Sequence, residues 1–281
     1  MKPAKPDSMR LPDFIGVGPP RSGTTWLDRI LRNHVGLPVG LKETQFFVWR
    51  YHLGLAWYAS HFAGYARGYP TGEFGPTYFP LAEARARIGQ HMPACRIVVT
   101  LREPVERFYS HYKMWRKIGV VKAPFEEVVD HHEELIAHTR YVANVTAWRE
   151  QFGEERTLVL IHEDTRADRQ GYVDRLCDFI GAPRLDLNSV TIEREPAAHV
   201  ERAPKNRRTA RRALRLRDRL EERGHPRLLE LMEPFFDFCM GRGEIFPPLS
   251  SELETKLRER FRPEVEHLEN LLGRNLSVWR A

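Results

Sequence analysis

Between Gly18 and Thr25 the chain gathers two glycines, a guanidinium and two threonine hydroxyls in Gly18-Pro19-Pro20-Arg21-Ser22-Gly23-Thr24-Thr25. Small residues that let backbone N–H groups converge, with a cation beside them, make a site for an anion. Gly18 and Gly23 have the spacing of the nucleotide-phosphate loop Gly-x-x-x-x-Gly-Lys-Ser/Thr. The lysine of that pattern, which reaches the β- and γ-phosphates, is replaced by Thr24, and the cation sits inside the loop instead, at Arg21. Thr25 stands where a Mg²⁺-binding hydroxyl would be. Without the lysine, ATPase or kinase chemistry is disfavoured. A loop that cradles one phosphate beside a guanidinium suits a phosphate carrying a transferable group. A ligand-free strand–turn–helix would need fewer of these residues.

The elements that must position this loop are legible around it. Phe14, Ile15 and Val17 form a short β-prone run, Gly18-Pro19-Pro20 breaks it, and Trp26, Leu27, Ile30 and Leu31 recur at helical spacing. A strand feeding a helix through such a turn aims its loop N–H groups and the positive end of the helix dipole at one point. Pro20-Arg21-Ser22-Gly23-Thr24-Thr25-Trp26 resembles the 5′-phosphosulfate-binding loop of sulfotransferases that use 3′-phosphoadenosine 5′-phosphosulfate (PAPS). Cytosolic members usually carry Lys at the Arg21 position, whereas several bacterial and tyrosylprotein members carry Arg. The resemblance implies that Arg21, Ser22, Gly23, Thr24 and Thr25 bind the cofactor, with Arg21 also stabilising the leaving group. It further implies that Trp26 stacks on adenine; a core tryptophan under the loop is the alternative.

A second match is attached to the strongest strand of the chain, Arg96-Ile97-Val98-Val99-Thr100-Leu101, apolar as a strand buried on both faces should be. Leu101-Arg102-Glu103-Pro104-Val105-Glu106-Arg107-Phe108-Tyr109-Ser110 is similar to the 3′-phosphate motif of the same family, which implies that Arg102 and Ser110 hold the 3′-phosphate. An Arg at the carboxyl end of a central strand is well placed for a ligand in any case. An ion pair with Glu103 or Glu106 is the bland alternative.

Lys42-Glu43-Thr44-Gln45-Phe46-Phe47 comes after an expected brief second strand at 37–40. It resembles the Glu-x-Gln-Phe-Phe segment of heparan sulfate N-sulfotransferases and the Glu-x-His-Phe-Phe segment of the 3-O-sulfotransferases. The resemblance implies Glu43 as general base and Lys42 as a sulfonate contact; a solvated loop carboxylate is the ordinary alternative. Gly72-Glu73-Phe74-Gly75-Pro76-Thr77-Tyr78, expected as a tight turn region, resembles a Gly-Glu-x-x-Pro-x-Tyr segment of the group, which places Glu73, Thr77 and Tyr78 along an acceptor cleft.

The rest of the chain carries weaker signals. Helices are expected within 51–62, 81–91, 105–112, 125–148 and 172–180, another buried strand at 156–162, and two successive helices opening at Ser251 and Phe261. From Glu193 to Gly224 the sequence is rich in Arg. The part from Arg215 onward reads as a solvated helix face. The earlier part, with Lys205, Asn206, Arg207 and Arg208, stands where relatives place a loop over the nucleotide, although the family's Lys-Gly-Arg-type motif is absent; Lys205 and Arg207 are expected cofactor contacts, and a site for an anionic acceptor is the equal alternative. His131, His132 and His138 lack a convincing metal-ligand pattern, and the chemistry implied by the resemblance needs no metal.

The bulk properties fit this reading. A chain of 281 residues with a net charge of +6 suits an anionic cofactor or acidic acceptor, and it lacks zinc-finger, RRM or basic-zipper patterns that would indicate nucleic acid. Its three cysteines, Cys95, Cys177 and Cys239, have core-like neighbours and read as reduced thiols of a cytoplasmic protein. Met1–Pro12 reads as a flexible tail without a secretory h-region, and no membrane-spanning run is present in the sequence. The expectation is a single α/β domain over 13–281, with a central, mostly parallel sheet flanked by helices in the manner of P-loop kinases. The expected activity is sulfuryl transfer from PAPS to a hydroxyl or amine of a small-molecule or carbohydrate acceptor, leaving 3′-phosphoadenosine 5′-phosphate (PAP). A P-loop nucleoside or small-molecule kinase and a non-catalytic polyanion-binding protein are the competing readings.

Overall fold

Three short apolar runs and one Gly-flanked triplet form the sheet. In a computed structural model of the chain, which describes residues 9–66, 68–190, 204–223, 226–240 and 245–280, the strands are β1 (Phe14–Gly16), β2 (Gly72–Phe74), β3 (Arg96–Leu101) and β4 (Thr157–Ile161). All pairings are parallel, in the order β2-β1-β3-β4. Phe14 is in register with Gly72 on one side and Arg96 on the other, and Leu101 with Ile161. The chain therefore leaves β1 first toward one edge of the sheet and then crosses to the other. The strand order reverses between β1 and β3, and at such a switch point the loops at the carboxyl ends diverge and open a crevice for ligands.

The chain divides into two compact units. The first comprises Met1–Glu103, His138–Ile192 and His267–Asn275 and contains the whole sheet. Against the sheet, α1 (Thr24–Leu31) and α9 (Arg169–Ile180) bury Leu27, Ile30, Leu31, Val173, Leu176 and Cys177 with Phe14, Phe74, Val98 and Leu160. The helix α7 (Tyr141–Phe152) packs on β3 and β4. The same unit holds α2 (Gly54–Ser60), α3 (Ala82–His91) and α8 (Asp164–Ala167). Burying one large apolar side chain is worth about 1.5–3 kcal/mol, so the apolar layer rather than helix propensity holds the short α1 in place.

The second unit comprises Pro104–Ala137, Glu193–Glu266 and Leu276–Ala281. Its core joins α4 (Pro104–Ile118) to α5 (Phe125–Val128), α6 (Glu133–Ala137) and α12 (Ser251–Leu272) through Val105, Phe108, Trp115, Phe125, Leu135 and Phe261. The Arg-rich segment forms α10 (Arg207–Glu222), whose first turn is capped by the Asn206 Oδ1, accepting from Arg208 N and Thr209 N at 2.9 and 3.3 Å. It packs on α11 (Pro226–Met240) through Ala213, Leu220, Phe236 and Cys239.

Several expectations need correction. The second strand is not at 37–40, where Pro38 and Gly40 interrupt pairing; a single bridge, Gly36 to Thr71, forms just before that stretch. It is Gly72–Phe74, inside the expected turn region, because Phe74 packs edge-on against Phe14 at 6.2 Å and adds a strand to β1. The 125–148 stretch is three helices rather than one, and 251–272 is a single helix that accommodates Pro263. The 51–62 segment is α-helical only at Gly54–Ser60, preceded by a π turn at Phe46–Arg50 and a 3-10 turn at Tyr51–Leu53. All three cysteines are buried and free. Among the described residues, no helix is long and apolar enough to cross a membrane.

Candidate functional site

The loop after β1 is shaped by close backbone approach. A Cβ on Gly18 would lie 2.2 Å from Thr100 O and 2.5 Å from Thr100 N, so the loop lies directly on β3. The Ser22 hydroxyl, fully buried, donates to Pro19 O at 2.6 Å and so accepts from Thr100 Oγ1 at 2.8 Å. The Ser22 side chain thus staples the loop to the sheet. Arg21 adopts φ 73° and Gly23 φ 96°, both left-handed. A Cβ on Gly23 would also meet His162 Nδ1 at 2.6 Å. The turn leaves the Arg21 and Thr25 side chains exposed while Thr24 is buried. It feeds α1, which has no side-chain cap and no acidic residue in its first turn. The N-terminal N–H groups and dipole of an uncapped helix favour an anion.

Arg102 leaves the carboxyl end of β3, half-buried, and its Nη1 donates to Arg21 O at 3.4 Å. Its own carbonyl accepts from Tyr141 OH at 2.8 Å, which fixes the turn after β3. Beside it, Glu103 N donates to Glu163 Oε1 at 3.0 Å, and Asp164 pairs with Arg274 and Arg175, so the acidic pair after β4 braces loops. The Arg102 guanidinium thus rests on the backbone of the Gly18–Thr25 loop across the β1–β3 switch point. Ser110 lies in the second unit, buried, as the seventh residue of α4.

The Lys42–Gln45 loop holds a carboxylate from two sides. Glu43 Oε1 accepts from Lys42 Nζ and its Oε2 from Gln45 Nε2, both at 2.7 Å. Gln45 Oε1 in turn accepts from Thr77 Oγ1. Glu43 itself is partly exposed, at 22% of its side chain. The neighbouring Thr44 is buried and joined to Glu73, which ties this loop to β2 one residue before its carboxyl end.

Of the three residues expected along an acceptor cleft, Glu73 and Tyr78 are fully buried, so neither lines an open surface. Their polar ends bond each other and Thr44 instead. Burial lifts the Glu73 carboxyl above its ordinary range against the opposing pull of its donors, and lifts the Tyr58 and Tyr78 phenols as well. Thr77 is half-buried and supports Gln45. Trp26 is partly buried against the core, 6.1 Å from the Tyr172 ring. Lys205 is exposed just before α10, the side chain of Arg207 and the segment 191–203 lie outside the described residues, and Arg208, Arg212, Arg215 and Arg219 are exposed. Sequence reasoning passed over Thr44, Tyr58, Thr100 and His162. Only the polar Thr100 inside an otherwise apolar strand carried a local signal.

The donor set fits a phosphosulfate nucleotide: a glycine loop seated directly on β3 and leading into an uncapped helix, Arg21 within it and the Arg102 guanidinium against its backbone, and a separate carboxylate beside a lysine. Comparison with known proteins gives the family. A family model described as "Sulfotransferase domain" matches residues 11–196. The chain is 29% identical over 187 residues to heparan sulfate glucosamine 3-O-sulfotransferase 3B1 of Mus musculus, covering 63% of this chain and 48% of that one. It is 24% identical over 299 residues to bifunctional heparan sulfate N-deacetylase/N-sulfotransferase 4 of Mus musculus, covering 96% of this chain and 31% of the relative. The matched part thus spans about half or less of these curated relatives. Among solved structures, a sulfotransferase from Alicyclobacillus acidocaldarius superposes with a TM-score of 0.67 over 97% of this chain and 100% of that one, at 23% identity, which shows a shared fold. By the family match over most of its length, the chain belongs to the sulfotransferase domain family.

Proposed function

We propose that the protein transfers a sulfuryl group from PAPS to a hydroxyl or amine of an acceptor, with a carbohydrate favoured. The observation that carries this reading is the loop at the β1–β3 switch point, bound to β3 through Gly18 and Ser22 and faced by Arg102. The names of the relatives, which specify heparan sulfate, support a carbohydrate acceptor.

When bound, PAPS supplies the group: the acceptor oxygen or nitrogen bonds to sulfur, the bond from sulfur to the bridging phosphate oxygen breaks, and PAP leaves. Arg21, Thr24, Thr25 and the loop N–H groups stabilise the charge that builds on the phosphate, as preorganised donors do in a site that needs no reorganisation. Glu43 takes the acceptor proton, a contribution typically worth about 10²–10⁴-fold. Lys42, which donates to the Glu43 carboxylate at 2.7 Å, meets the sulfonate oxygens. Arg102 recognises the 3′-phosphate and so selects PAPS over ATP.

The test is calorimetric titration with PAP, then transfer of radiolabelled sulfate from PAPS to a panel of desulfated glycosaminoglycan oligosaccharides, alcohols and amines. PAP binding with labelled product from one acceptor class is expected. ATP- and Mg²⁺-dependent phosphorylation without PAP binding would establish the kinase reading. Heparin binding with neither activity would establish a polyanion-binding protein.

A further inference from the structure

Glu73 is a carboxylate in the middle of β2 with no exposure at all. Its Oε2 accepts from Thr44 N at 3.2 Å and Thr44 Oγ1 at 2.6 Å, and its Oε1 accepts from Tyr58 OH at 2.9 Å and Tyr78 OH at 3.1 Å. Four donors meet the roughly four acceptor sites of one carboxylate. The direction of the key bond is forced. A carboxylate oxygen can only accept, so the Thr44 hydroxyl donates to Glu73 while it accepts from Phe46 N at 3.2 Å. Thr44 O accepts from Arg50 Nη1 at 2.9 Å, which occupies the remaining polar group of that residue.

The same tyrosines clamp Phe46 and Phe47. The Phe46 ring stacks on Tyr58 at 4.6 Å, and Phe47 meets Tyr58 and Tyr78 edge-on at 5.1 and 5.8 Å. Between Thr44 and these rings Gln45 sits at φ 52°, a left-handed conformation that a non-glycine residue keeps only where its surroundings hold it. A sheet needs none of this: β2 pairs with β1 through backbone groups, and an apolar side chain would escape the desolvation cost of a buried carboxylate. Besides seating the two tyrosine hydroxyls, the carboxylate fixes the Thr44 peptide, and Glu43 and Gln45 flank that peptide.

We propose that Glu73 is a positioning residue, which pins Thr44 through two hydrogen bonds and so sets the direction of the Glu43 carboxylate. The inference rests on the reading of Glu43 as base, and its test separates the two.

In Glu73→Leu, Thr44 N–H loses its acceptor. The turnover number is expected to fall about 10- to 100-fold, the scale of a base misplaced by about an ångström, with PAP affinity unchanged within a few-fold. Hydrogen exchange should rise over 42–47 and stay unchanged over β3. Glu73→Gln should restore turnover to within a few-fold: its carbonyl oxygen can accept both Thr44 donors, while its NH₂ turns to the tyrosine hydroxyls, which can rotate to accept. The double variant Glu43→Gln/Glu73→Leu should be no slower than Glu43→Gln alone, because a positioning residue has nothing left to position. Should Glu73→Leu not fold, Thr44→Val removes one of the two bonds and is expected to lower turnover about five-fold at constant PAP affinity. Full turnover in Glu73→Leu, unchanged exchange over 42–47, or multiplicative losses in the double variant would overturn the proposal. Wild-type turnover in Glu43→Gln would instead reject the base assignment, and the exchange result would still decide whether Glu73 anchors the loop.

Discussion

The two loops that meet the sheet's carboxyl edge are held in opposite ways. The Gly18–Thr25 loop is fixed by backbone contact: absent Cβ atoms let it lie on β3, and the short Ser22 hydroxyl closes it. The Lys42–Gln45 loop is fixed by side chains, with a buried carboxylate and two tyrosines behind it and Thr77 beside it. The first arrangement suits an invariable partner, a phosphate. The second suits a group whose direction must match an acceptor, since side chains can be exchanged without rebuilding the strand–turn–helix.

The sharpest way to break this contrast is Gly18→Ala. The new methyl would sit within 2.5 Å of backbone atoms of Thr100, which cannot yield as a flexible side chain would. PAP affinity is expected to fall at least about 100-fold, measured by calorimetry on folded protein, in line with the loss of two or more charge-assisted bonds. Retained affinity would show that the loop does not need its seat on β3. Next in size, Arg102→Ala should weaken PAP by about 10- to 100-fold, the range of one or two hydrogen bonds to a charged group, and leave adenosine 5′-phosphosulfate nearly unchanged; equal losses would remove Arg102 from the 3′-phosphate.

Smaller effects refine the second loop. Thr77→Val removes the donor to Gln45 Oε1. If Thr77 orients Gln45 and through it Glu43, turnover falls about five-fold, the value of about one hydrogen bond, while the KM of the acceptor is unchanged; a raised KM alone would return Thr77 to the acceptor cleft. The smallest effect is on stability. Burial raises the Glu73 carboxyl in the folded protein, so the folded state holds its proton where the unfolded chain has released it. The wild type should therefore lose stability as pH rises from the ordinary carboxylate value of 4.5 through the raised one. Urea unfolding across that window should show a shallower fall in Glu73→Gln, whose amide does not titrate.

Legibility in the sequence divides along the same line. β1, the switch into α1, β3 and the Arg102 turn could be read from contiguous residues because their physics is local: β-branched runs, Gly and Pro punctuation, and a helix start. β2 could not, since Gly72-Glu73-Phe74 has the composition of a turn and becomes a strand only through the packing of Phe74 on Phe14. Glu43 was visible through its neighbours, yet its support was not. The partners Thr44 and Glu73 are 29 residues apart, and a glutamate between a glycine and a phenylalanine gives no sign that four donors await it. For the same reason Tyr78 read as a cleft wall, when its hydroxyl faces inward to a carboxylate.

The separation of nucleotide binding from proton transfer is most directly tested in Glu43→Gln. The amide keeps the shape of the side chain and removes its basicity, and the Gly18–Thr25 loop, proposed to hold the nucleotide, shares no residue with it. PAP affinity by calorimetry and single-turnover sulfuryl transfer should be measured on one preparation. Affinity within a few-fold of wild type with transfer reduced by about 10²–10⁴-fold is the predicted result. A parallel collapse of affinity and transfer would contradict it, and would make Glu43 part of the nucleotide site.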